Sequence, residues 1–139
     1  MKKFYSQIKK NVLLHVINYK DDIVKRTNIA PENEFLQLAT LKLQKGDTFK
    51  AHKHLWKEIK YNNVIAQESW IIISGSVKVF LYDLDDKLIS EEIISQGDCS
   101  MTFQGGHNYL SLDNNTIVYE YKTGPYMGID KDKDFINED

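Results

Sequence analysis

The sequence predicts an all-β domain, an antiparallel sandwich or barrel. Three observations predict it: short apolar runs that alternate with polar residues, turn residues about every ten positions, and no helix-length segment from Asn33 to Lys122. Phe35 to Leu43 reads as a strand stopped by Lys45-Gly46-Asp47, and Thr48 to Trp56 as the next strand. Gln67 to Ile73 is apolar and β-branched, and Ser74-Gly75-Ser76 behind it is a hairpin signal. Val77, Val79 and Leu81 alternate with Lys78, Phe80 and Tyr82, which predicts a strand with one buried face. Asp83 to Lys87 is a polar turn, Leu88 to Ile94 another strand, and Gln96-Gly97-Asp98 a second stop. Met101-Thr102-Phe103, Tyr109 to Leu112 and Thr116 to Tyr121 complete the series.

The first 30 residues fit two descriptions. Phe4, Ile8, Val12 and Val16 recur every four positions, as on a helix face, whereas Val12 to Tyr19 equally serves as a strand. Pro31, which lacks an amide donor, marks the start of the regular β pattern. The expected organisation is therefore an N-terminal segment (1–30), one β domain (31–126) and a charged, peripheral tail (127–139).

Composition narrows the function classes. Among 139 residues, 18 Lys and Arg stand against 20 Asp and Glu, so no basic surplus exists to neutralise a nucleic-acid backbone. Hydrophobic residues make up 42%, enough to build a core. A single cysteine, Cys99, excludes an intrachain disulfide and a cysteine zinc cluster, and is expected as a small buried packing residue. The apolar patch Val12 to Ile17 behind Met1-Lys2-Lys3 is short, is interrupted by His15 and has no small-residue cleavage site. Nothing approaches the ~18 apolar residues of a membrane span. A reducing, cytoplasmic setting is the expectation.

Chemistry is carried by histidines. His52 and His54 form an H-x-H pair inside a predicted strand, where residues two apart point the same way, so two imidazoles project side by side. That is how one metal ion receives two nitrogen ligands. His15 stands alone in an apolar run and is expected as a satisfied core or surface residue. The acidic clusters at Asp83-Asp85-Asp86 and Asp130 to Asp134 are expected as solvated turns, since a calcium loop needs spaced donors and a closing glutamate.

Around the pair, Gly46 precedes His52-Lys53-His54, and Glu68 is followed by Gly75; further on, Gly97, Phe103 and Gly105 lead to Gly106-His107. This double arrangement resembles the two sequence motifs of the cupin superfamily over residues 35 to 122. The resemblance implies a double-stranded β-helix (jelly-roll) barrel with a divalent transition metal in its mouth, held by His52, His54, Glu68 and His107. Iron, manganese, zinc and nickel are not distinguished by such ligands. Glu58 is the alternative carboxylate: it lies four residues beyond His54, the usual spacing, but Ile65 occupies the place of the glycine that should follow. The second motif carries Phe103 where proline is usual and Ser111 where asparagine is usual. A metal-free pocket is the competing expectation, because jelly rolls lose their metals.

Two narrower similarities bear on function. Gln67-Glu68, Gly105-Gly106-His107 and Glu120 to Tyr126 resemble small single-domain cupins of polysaccharide and nucleotide-sugar biosynthesis. Phe49 to Leu55 is similar to the stretch around the catalytic histidine of sugar-nucleotide 3,4-ketoisomerases, which implies His52 or His54 as a general base without a metal. The first expectation is a metal-binding cupin acting on a small, carbohydrate-related molecule. The alternatives are the isomerase and a non-catalytic module that binds a sugar or nucleotide-sugar. Strand parity puts Trp56 with the two histidines and Trp70 with Glu68, so Trp56, Trp70 and Tyr109 are the candidate ligand-binding walls, with core packing an equal explanation for Trp70 and Tyr109. A homodimer is expected, because exposed sheet edges favour pairing.

Overall fold

In the computed structural model, which describes residues 1–56 and 65–136, all strand pairs are antiparallel. Leu13 to Ile17 is apolar without alternation except at His15, the pattern of a strand covered on both faces. It forms β2 (Leu13–Asn18), paired with β1 (Lys2–Tyr5), so the strand description of the N-terminus prevails over the helix. Ile8, on the supposed helix face, is exposed in the connection between them.

The remaining strands are β3 (Arg26–Asn28), β4 (Ala39–Leu41), β5 (Glu68–Ser74), β6 (Ser76–Tyr82), β7 (Leu88–Ser95), β8 (Cys99–Thr102), β9 (His107–Ser111) and β10 (Ile117–Lys122). They assemble into a five-stranded sheet in the order β1-β2-β8-β5-β10, a three-stranded sheet β7-β6-β9 and a two-stranded ribbon β3-β4. The predicted all-β, antiparallel class is therefore observed, but the sheets do not close into a barrel. One reason lies in the middle of the chain. Thr48 to Trp56, expected as a strand, is exposed coil, and Phe35 to Leu43 contributes only the short β4.

Alternation places the core. Val77, Val79 and Leu81 of β6 and Ile94 of β7 face Ile17 and Ile72 across the two main sheets, all buried. On the opposite face of the five-stranded sheet, Val16, Met101 and Phe103 pack under Ile29 and Ala30 from the segment leading to the ribbon. The large sheet is thus covered on both sides, which accounts for the near-complete burial of β2 and β8.

Ser74-Gly75-Ser76 is not a hairpin. It hands the chain from the five-stranded sheet to the three-stranded one, because β5 pairs with β8 and β10 while β6 pairs with β7 and β9. Gly75 sits at φ +79°, and a Cβ there would press on Thr116, 3.1 Å from its Cα. Both the backbone conformation and the close approach call for glycine.

Candidate functional site

Directly opposed residues of antiparallel strands share a face. His107 and Tyr109 of β9 oppose Leu81 and Val79 of β6, so they look into the space between the main sheets. From the other sheet, Glu68 and Trp70 of β5 share their face with buried Ile72 and oppose Thr102 and Ser100 on one side, Lys122 and Glu120 on the other. The intersheet space is apolar at the Ile72–Val79 end and polar at the Glu68–His107 end. Register alone makes that gradient.

At the polar end, His107 Nε2 donates to Glu68 Oε1 at 3.1 Å. The same carboxylate oxygen accepts the Trp70 indole N–H at 3.0 Å, and Glu120 Oε2 accepts it too, at 3.2 Å. Trp70 stacks on Tyr109 with ring centroids 3.9 Å apart and planes within 2°, and the Tyr109 hydroxyl is 2.7 Å from Ser100 Oγ. Burial would raise the Glu68 carboxyl, but the hydrogen bond and charge of His107, the charge of Lys133 and the Trp70 N–H outweigh it and hold it below the usual carboxylate range. Burial pushes the Tyr109 phenol up, so it stays protonated. Glu68 is therefore an acceptor, His107 Nε2 a donor, and His107 Nδ1 the remaining ring nitrogen. Nδ1 is buried and has no hydrogen-bond partner among the described residues. A carboxylate-oriented imidazole with its second nitrogen uncommitted is the arrangement of a general base.

His15 lies close behind. Its Nε2 donates to the Tyr82 carbonyl at 2.9 Å, which leaves Nδ1 to accept from the Thr102 hydroxyl at 3.0 Å. Burial pulls its pKa down to about 4, against the opposing pull of the Tyr82 carbonyl. Both nitrogens are used, and the residue is a satisfied core histidine as expected. Cys99 is likewise buried.

Of the four implied metal ligands, the structure brings Glu68 and His107 together and leaves the other two elsewhere. His52 and His54 are exposed on the coil before Trp56, their rings 5.3 Å apart at 76°, with His52 Nδ1 2.8 Å from the Lys50 carbonyl. Among the described residues no three His, Cys, Asp or Glu side chains surround one point. Glu58 lies outside the described residues. Trp56, expected as a wall of the pocket, is fully exposed. Both departures have one cause: among the described residues, 48–56 pair with no strand, so the parity that aimed their side chains inward does not apply.

Trp70 and Tyr109 lie beside the Glu68–His107 pair, and sequence reasoning missed Ser100, Glu120 and Lys122 next to them. Glu120 and Lys122 alternate along a predicted strand, but only the pairing of β10 with β5 reveals that they flank Trp70 and Glu68. The tail, expected to be peripheral, also reaches the site: Asp132 accepts a hydrogen bond from Lys122 Nζ at 2.6 Å. No helix among the described residues is long and apolar enough to cross a membrane. Comparison with protein-family models, curated proteins and solved structures returned no match.

Proposed function

We propose that this chain is a cupin-like sandwich that binds a small, carbohydrate-related molecule at the Glu68–His107 end of the intersheet space, with His107 moving a proton on it. The observation that carries the proposal is the 3.1 Å contact of His107 Nε2 with an ionised Glu68, beside the Trp70–Tyr109 stack. Glu68 holds the ring in one tautomer and stabilises the imidazolium that forms when Nδ1 takes a proton. The aromatic pair supplies an apolar wall of the kind sugar rings pack against. His107 takes the place that the ketoisomerase resemblance gave to His52 or His54, because it is the histidine with an orienting carboxylate. A cytoplasmic homodimer in nucleotide-sugar or polysaccharide biosynthesis is the setting this reading implies.

The test is solvent deuterium incorporation into a panel of nucleotide-linked ketodeoxysugars, followed by proton NMR. Exchange that falls by about 100-fold or more in His107→Ala is expected for a positioned acid–base group. Ligand-induced shifts at His107 without exchange would instead establish the non-catalytic binding module. Neither shifts nor exchange with any panel member would overturn the reading.

One observation keeps the metal-binding reading as a second proposal: His52 and His54 are neighbours, as two ligands of one ion must be. It requires their segment to join Glu68 and His107. Elemental analysis of untagged protein tests it, and His52→Ala with His54→Ala is expected to abolish any bound metal while His15→Ala does not.

A further inference from the structure

Beyond β10 the chain turns through Thr123 to Met127 into a four-residue helix, α1 (Ile129–Asp132). So short a helix has no stability of its own, and its position must come from contacts. It has few. Ile129 and Phe135 are exposed, and no residue of α1 is buried. Among the described residues, two anchors hold the segment. The first is the Lys122–Asp132 ion pair, whose side chains are only 20% and 11% exposed; Lys122 opposes Glu68 directly on the next strand. The second is Ile136, whose Cδ1 occupies the space a side chain at position 106 would take, immediately before His107. Between the anchors lies Lys133, whose charge is felt by Glu68.

We propose that residues 128–136 form a strap that closes over the Glu68–His107 pair, latched by Lys122–Asp132 and seated by Ile136 on Gly106. The proposal rests on the functional reading only for what the strap encloses; its geometry stands apart. In the closed state His107 Nδ1 is buried without a partner among the described residues, an arrangement that costs free energy and that entry of a ligand or opening of the strap relieves. Two anchors and little apolar burial make opening a local event that leaves the sandwich intact. Gly106 acquires a role its sequence position alone did not disclose: it is the seat.

Labelling of the full chain by diethyl pyrocarbonate, without ligand and read by peptide mass spectrometry, tests this with internal controls. His52 and His54 are exposed and mark the fast limit; buried His15 reports whether the fold persists. Asp132→Asn is expected to speed His107 labelling by about fivefold or more, the effect of losing one partly buried contact, while His15 stays protected. Gly106→Ala, which evicts Ile136, is expected to do the same. Exchanging the charges in Lys122→Asp with Asp132→Lys returns the rate toward that of the parent. Unchanged His107 labelling in both single variants, with His15 protected, overturns the strap. Should Asp132→Asn expose His15, Ile136→Ser replaces it and is judged by the same rate. No sugar takes part, so failure of the deuterium-exchange experiment leaves the strap standing, and failure of the labelling experiment leaves the site standing.

Discussion

Each histidine in this chain is defined by its partners, and residue type alone ranks them wrongly. His52 and His54 carry the most suggestive spacing yet are exposed. His107, a lone histidine after two glycines, meets a carboxylate. His15, the least promising of the four, has the most perturbed environment, with a pKa near 4 against 6.5 for a free side chain. That shift has a consequence for stability. The unfolded chain protonates His15 as pH falls through 6.5, whereas the folded chain resists until about 4, so stability is full above 6.5, declines across that interval and levels off below it. The loss is about 3 kcal/mol at 1.36 kcal/mol per pH unit. Urea unfolding of the parent and of His15→Leu at pH 7, 5.5 and 4 checks it: the variant starts less stable, having lost the His15 hydrogen bonds to the Thr102 hydroxyl and the Tyr82 carbonyl, but lacks this component of the pH dependence.

Elements were legible where periodicity and burial agree. The β6 alternation, the turn at Asp83 to Lys87 and the stop at Gly97-Asp98 are found where the sequence puts them, because each side-chain pattern is resolved locally by one buried face. Thr48 to Trp56 shows the converse. Its residues have strand propensity, but a strand needs a neighbour, and among the described residues none receives it. Gly75 is a third case, since a turn signal reports a reversal without saying which sheet the chain enters. Its left-handed conformation and contact with Thr116 predict that Gly75→Ala destabilises by about 1–3 kcal/mol. Gly46, also at positive φ but with open space around it, is expected to cost less on the same substitution, since only the backbone conformation opposes it. Thermal unfolding of the two variants side by side provides the comparison.

At the scale of the whole molecule, two main sheets meet over one apolar core and part around one polar group. The five-stranded sheet ends in β1 and β10, each with an unpaired edge among the described residues. Such edges favour association, so a homodimer of twice 16.2 kDa is the expected species in sedimentation equilibrium; a single 16.2 kDa species at micromolar concentration would count against it. By itself the sequence determined the all-β class and the inward face of β5 and β6, because hydrophobic alternation and turn chemistry act over a few positions, while the cupin resemblance, not periodicity, singled out Glu68 and His107. Only the tertiary structure decided which of the candidate ligands meet, that Glu120 and Lys122 flank them, and that Asp132 and Ile136 of the tail contact Lys122 and Gly106. Those facts depend on strand register and on contacts between residues tens of positions apart, where no local pattern in the chain specifies the partner.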